Sequence, residues 1–313
     1  MNALIFPGQG SQIVGMGSEF YNRYNLAKEI FKVADETLQF PLSKIILEGP
    51  ENELQLTQNT QPAILTVSYA IFKVLKDEFN FNFDQFKYFA GHSLGEYSAL
   101  VCAQALEFSD AIYLLSERGK EMQNAVPVGE GSMIAVLGTS IDEINDLMKI
   151  NVRESEVCEI ANDNAIGQVI ISGNKKSVSL FQKKLKEKNI KTIPLKVSAP
   201  FHCSLMKSAS EKMKEKINDT KFKKLKFNVV NNVTAREESN LEIIKKMLID
   251  QIFSTVKWRE SIIYMSDQGV KNFIEIGPGK ALSGMVKRTL KNVNTFSINT
   301  ITDIKNLKDE FKK

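Results

Sequence analysis

The sequence predicts an α/β protein made of a large doubly wound core and a smaller inserted unit, and three observations predict it. Short apolar runs bounded by glycine or proline alternate with helix-length amphipathic stretches along most of the 313 residues, as in a mainly parallel sheet covered by helices. Lys87 to Leu106 reads as strand, tight turn and helix around Gly91-His92-Ser93-Leu94-Gly95. Between residues 127 and 197 the rhythm changes to β-α-β-β-α-β, the order of a ferredoxin-like unit. The expected organisation is therefore a discontinuous catalytic domain, residues 1–126 and 198–313, with a subdomain at 127–197.

In chain order, Ala3 to Phe6 is a buried strand, broken by Pro7-Gly8-Gln9-Gly10-Ser11-Gln12. That glycine-rich turn lacks the ending of a P-loop and the spacing of a dinucleotide fold, so it is not a phosphate cradle. It can instead offer backbone N–H groups to an oxyanion beside Ser93. A helix is expected from Ser18 to about Gln39. Another should open at Gln61-Pro62, a position helices tolerate, and run to about Phe79 with a core face that includes Ile64, Leu65 and Ile71. After the Ser93 helix, Ser109 to Ala125 reads as a core helix carrying Arg118, which by default is solvated or paired.

The inserted unit spells strands at 132–138, 156–162, 167–173 and 190–195, with helices at 140–150 and 175–189; Asp163-Asn164 with Gly167 marks its central hairpin. The chain returns through Val197-Ser198-Ala199-Pro200-Phe201-His202-Cys203 into a Lys-rich helix ending near Asn218. Strands follow at 227–231, 271–276 and 293–298, helices at 241–253, 258–267 and 281–290, and Asp303 to Lys313 reads as a solvated terminal helix.

Composition narrows the class. With 43% hydrophobic and 25% charged residues the chain is an ordinary globular protein. It has no apolar run of membrane-spanning length and no basic leader before an apolar stretch, so a cytoplasmic, membrane-free setting is expected. Cys102, Cys158 and Cys203 are odd in number and far apart, which opposes a disulfide framework or a zinc site. Net charge is +4, yet 14 lysines face 4 acids between Leu180 and Val230. Such a surface suits an acidic partner or anionic substrate, or simply decorates solvated helices. Nucleic acid is not expected, because the lysines are not interleaved with stacking aromatics.

Ser93 is the candidate nucleophile, lifted above the sheet edge by a strained turn whose glycines leave room for the backbone. The helix after it presents free N–H groups and a positive dipole end to developing negative charge. A serine needs a base, most often histidine. Of the two histidines, His92 adjoins Ser93, where neighbouring side chains diverge, so His202 is the base by elimination. Cys203 abuts His202 with the same geometric problem and is assigned to the core. No acid stands out as the group that orients the imidazole, and Glu96 lies nearer the serine than such an acid should. Residue patterns thus give a Ser-His acyl enzyme, leaving hydrolysis and transfer open, with a non-catalytic binding module as a further reading.

The motifs FPGQGSQ (6–12), TQPAIL (60–65), GHSLGEYSAL (91–100), RGKEMQ (118–123), GQVIISG (167–173), SAPFHCSLM (198–206) and EIGPGKAL (275–282) together resemble the malonyl-CoA:acyl carrier protein transacylase family of acyltransferases. The resemblance covers nearly the whole chain in order. It implies a hydrolase-like α/β core with a ferredoxin-like insert, in which Ser93 is acylated and His202 is its base. It also implies an oxyanion hole from the Gln9 and Leu94 amides, Arg118 as the clamp on a malonyl carboxylate, and the Gln251 main-chain carbonyl as the holder of the histidine. Asn162 and Phe201 belong to its acyl pocket. The implied partners are malonyl-CoA and the phosphopantetheine of acyl carrier protein, with no metal or redox cofactor and a monomer as the working form.

Overall fold

The computed structural model describes residues 1–311 apart from 154, 196 and 198. Lys196 of the basic segment, Ser198 of the loop before His202, and Lys312-Lys313 of the tail lie outside the described residues.

Strand β1 (Asn2–Phe6) leads to helices α1 (Ser18–Arg23), α2 (Asn25–Leu38), α3 (Leu42–Glu48), α4 (Glu51–Leu54) and α5 (Thr57–Asp77). Next come β2 (Phe86–Gly91), α6 (Gly95–Cys102) and α7 (Phe108–Asn124). A second group holds β3 (Gly131–Leu137), α8 (Ile141–Asn151), β4 (Cys158–Ala165), β5 (Gln168–Asn174), α9 (Lys175–Glu187) and β6 (Lys191–Pro194). The chain finishes with α10 (Lys207–Asp219), β7 (Asn228–Val230), β8 (Glu237–Glu238), α11 (Leu241–Gln251), α12 (Trp258–Asp267), β9 (Asn272–Ile276), α13 (Ala281–Thr289), β10 (Asn294–Ile298) and α14 (Ile301–Phe311).

The large sheet has the order β10-β9-β1-β2-β7-β8, parallel throughout except for β8. Successive side chains of a strand point to opposite faces, and β1 is buried at every position. Leu4 and Phe6 accordingly join the core under α2, α5 and α7, whereas Ala3 and Ile5 join Trp258, Ile262 and Val286 of α12 and α13. Helices cover both faces, as a parallel sheet requires. The second sheet, β4-β5-β3-β6, is antiparallel and packs α8 and α9 through Ile144, Val178 and Phe181.

Five sequence expectations need correction. The helix over 18–39 is two helices, because Tyr24 is extended (φ −119°, ψ 122°) and the apolar stripe resumes after it. The helix expected from Gln61 starts at Thr57, so Pro62 lies inside it. Its first turn is polar, and Asn59 Nδ2 and Thr60 Oγ1 are buried donors to the Glu53 and Leu54 carbonyls at 2.9 and 2.5 Å. The central hairpin turns at Ile166-Gly167 (Gly167 φ 68°), while Asp163 and Asn164 are strand residues used in side-chain contacts. The terminal helix is not simply solvated, since Ile301, Ile304 and Leu307 are buried. Finally, the basic segment is partly neutralised from outside itself: Lys212 and Lys216 pair with Glu121 and Glu117 of α7, Lys223 with Glu107, and Lys226 with Asp84.

Candidate active site

The site lies where two parallel strands end. Phe6 and Gly91 are register partners at the carboxyl ends of β1 and β2, so the loop from Pro7 and the turn at Ser93 emerge side by side. This is where ligands meet open α/β sheets. A Cβ on Gly91 would lie 1.9 Å from the Gly95 carbonyl, and one on Gly95 would lie 2.3 Å from the Phe6 oxygen. Those clashes explain the glycines flanking the serine. Ser93 itself is left-handed (φ 53°), a conformation that favours glycine and here raises the hydroxyl off the turn.

His202 arrives from the loop before α10, also left-handed (φ 57°). Its Nε2 is 2.8 Å from Ser93 Oγ and its Nδ1 is 2.9 Å from the Gln251 main-chain oxygen. A carbonyl oxygen only accepts, so Nδ1 carries the proton, and Ser93 Oγ–H donates to Nε2. Burial, followed by the nearby Arg118 guanidinium, holds His202 down to about 3. The imidazole is therefore a neutral proton acceptor at the serine. His92 is turned away, with Nε2 2.8 Å from Asn164 Oδ1 and its ring against Trp258.

Arg118 is 1% exposed, and its cation is met by neutral oxygens: Nη1 donates to Gln61 Oε1 at 2.7 Å, and Nη2 to Gln251 Oε1 at 2.8 Å and Ser93 Oγ at 3.1 Å. Its buried Nε has no acceptor among the described residues. A buried cation with an orphaned donor beside the nucleophile can receive a planar anion through paired hydrogen bonds.

A cavity of about 230 Å³ takes in every sequence-predicted site residue except Gln251, which stands behind it. Phe201 and Asn162, 7% and 6% exposed, are in its wall. Gln9 and Leu94 line it, and their main-chain N–H groups have no protein acceptor among the described residues. A larger space of about 750 Å³ opens behind His202, but it touches neither Ser93 nor Arg118. Cys203 is core as expected: it is fully buried, its thiol donates to the Pro200 oxygen, and burial pushes it up to about 11. Among the described residues no cluster of His, Cys, Asp or Glu could hold a metal, and no helix is long and apolar enough to cross a membrane.

With this geometry in place, the chain matches the family model for the acyl transferase domain over residues 3–312. The chain belongs to that acyl transferase family. This acyl transferase is 45% identical over 297 residues to the malonyl CoA-acyl carrier protein transacylase of Bacillus subtilis (strain 168), covering 95% of this chain and 92% of that protein. The crystal structure of the acyl-carrier-protein-S-malonyltransferase from Bartonella henselae aligns with a TM-score of 0.95 at 38% identity, covering 100% of this chain and 99% of the other. A type II PKS acyl-carrier protein in complex with its malonyl-transacylase provides a third relative, at TM-score 0.94, 36% identity and 99% of both chains.

Three residues of the acyl transferase site escaped the sequence reading. Asn232 accepts the Ser93 N–H at 2.7 Å, and its Nδ2 donates to the Gly91 oxygen at 2.8 Å, pinning the turn from β7. Its place just past a strand's carboxyl end was the available signal. Gln61, read as a helix opener, supports Arg118 instead, and Asn164, read as a hairpin marker, holds His92. No spacing in the chain announces either role.

Proposed function

We propose that this chain transfers malonyl from malonyl-CoA to the phosphopantetheine thiol of acyl carrier protein through a malonyl-serine at Ser93. The observation that carries the reading is a buried guanidinium, one of its donors unpaired, lining the cavity that holds the Ser93–His202 pair. His202 Nε2 takes the Ser93 proton as Oγ attacks the thioester carbon. The Gln9 and Leu94 amides hold the tetrahedral oxyanion, which collapses as the C–S bond breaks. His202 returns its proton to the departing sulfur. In the second half-reaction His202 deprotonates the carrier thiol, sulfur attacks the malonyl ester, the C–O bond breaks and Ser93 regains the proton. Arg118 clamps the malonyl carboxylate throughout, a fork matching a planar anion. Phe201 and Asn162 shape the space beside it, and the Gln251 carbonyl keeps the proton on Nδ1 of His202. The cycle calls on no metal or redox group.

The proposal extends to architecture. Residues 127–197 form a ferredoxin-like subdomain inserted in a hydrolase-like domain of 1–126 and 198–313; the order β4-β5-β3-β6 with two helices on one face supports it. A cytoplasmic monomer is the proposed working form, and three separate buried thiols suit a reducing compartment.

Intact-protein mass tests the reading. Native protein mixed with malonyl-CoA should gain a malonyl adduct that holo carrier protein removes, and Ser93→Ala should gain none. Arg118→Ala should lose its preference for malonyl over acetyl by at least roughly tenfold, one charge-assisted contact. Coenzyme A release with free malonate, carrier protein present, would instead mean hydrolysis.

A further inference from the structure

We propose that Glu96 is a positioning residue for the acyl clamp: it fixes which way the Gln251 side-chain amide points, and the amide in turn holds Arg118 facing Ser93. The inference rests on the malonyl-transfer reading above. Gln251 is completely buried. Its Oε1 accepts from Arg118 Nη2 at 2.8 Å, while its Nε2 donates to Glu96 Oε2 at 2.7 Å, with longer contacts to the Ser93 oxygen at 3.1 Å and Asn232 Oδ1 at 3.3 Å.

The two ends of a glutamine amide are nearly equal in shape, so its neighbours decide its orientation. Here the shortest of the Nε2 contacts is the carboxylate. Reversing the amide would turn –NH₂ onto the guanidinium and oxygen onto Glu96, replacing two good contacts by donor against donor and acceptor against acceptor. Neutral acceptors alone would oppose that reversal less, because hydrogen bonds to an ionised partner are roughly twice as strong.

Glu96 is itself fixed. It sits in the first turn of α6, directly after the Ser93 turn, and accepts the Asn232 main-chain N–H at 2.9 Å. It is 2% exposed and has no direct ion pair among the described residues; the Arg118 charge reaches it across the Gln251 amide. Burial pushes the carboxyl up to about 7. An acid held in such a place is poorly explained by packing, since glutamine would fill the same volume without the desolvation cost. Gln251 also accepts from His202 through its main chain. One buried carboxylate thereby stands behind a residue that serves the base with its backbone and the clamp with its side chain.

The test compares native protein, Glu96→Gln, Gln251→Met and the double variant at about pH 8, well above the ordinary carboxylate range. Each is assayed for kcat and KM with malonyl-CoA and acetyl-CoA. Folded Glu96→Gln should lose roughly tenfold of the malonyl-over-acetyl preference in kcat/KM, with the acetyl value little changed. In a Gln251→Met background, adding Glu96→Gln should change the preference by less than about twofold, because the amide through which Glu96 acts is gone. An unchanged preference in Glu96→Gln, or an equal fall for both substrates, overturns the proposal. Should the Glu96→Gln variant not fold, the Gln251→Met pair decides: no further change on adding Glu96→Gln supports the proposal, whereas a further fall in preference or loss of fold overturns it. Native protein that takes up no malonyl defeats the transfer reading first, and that control separates the two failures.

Discussion

His202 leans on a carbonyl where many serine enzymes use a carboxylate, and the difference is electrostatic. A carboxylate would stabilise the imidazolium by a full charge, but the Gln251 oxygen offers only a dipole. Burial and Arg118 both act against protonation, so the ring stays neutral well below the ordinary histidine value. Burial also lowers His92, against the opposing hydrogen bond from Asn164. These are the only two histidines in the chain. The ring C–H proton signals of His202, followed by NMR from about pH 7.5 to about pH 5, should therefore hold still, whereas a free imidazole would titrate at about 6.5. A midpoint near 6.5 for His202 would contradict the account of its environment. At His202 the unfolded chain binds a proton below about 6.5 and the native chain does not, so this contribution to stability falls as pH drops from there towards about 3. At this scale Ser93 and His202 were legible because the serine stands inside a strand-turn-helix pattern and the chain holds only two histidines. Arg118 and Gln251 were legible only by resemblance, since a charge on a helix face and a glutamine in LIDQIF carry no intrinsic sign of burial. Asn232 was silent.

Elements were legible where a single period ruled. The expected bounds of α12 match, and those of α13 and β10 differ by one residue at one end, because each has a clear apolar face between turn signals. The short helices α3 and α4 went unpredicted; each follows a proline and is too brief to show a period. The polar start of α5 failed for a different reason. Its buried threonine and asparagine side chains bond to carbonyls of the preceding segment, which only the folded chain supplies. The strand-turn-helix at Ser93 was the most legible element, and it makes a sharp demand. Gly91→Ala would drive a methyl into the Gly95 carbonyl at 1.9 Å, a backbone contact that no rotamer can relieve. Its melting midpoint should fall by about 10 °C or more, several kcal/mol for a chain of this size. Thermal denaturation followed by circular dichroism would measure it, and a native-like midpoint would refute the packing of β2 against α6.

Across the whole molecule, the sequence order of the second sheet was readable, but its consequence for the site was not. Ser93 and His202 are 109 positions apart, and the antiparallel unit lies between them in the chain. Their meeting depends on how that excursion closes, which no local pattern records. Charge was the least transferable reading, because acids from α7 and from elsewhere in the chain return to cover part of the basic segment. Of the left-handed residues, the two in the site, Ser93 and His202, lead further. A side chain in that region costs about 1–2 kcal/mol relative to glycine. Ser93→Gly and Ser93→Ala both lack the hydroxyl, so their comparison isolates the backbone: the glycine variant should melt higher by roughly 2–4 °C per kcal/mol recovered. Equal midpoints would mean that the turn is unstrained. Endurance and turnover thus make opposite demands on one position. A lineage selected for heat resistance alone would drift there towards glycine, and only continued use keeps a serine in place.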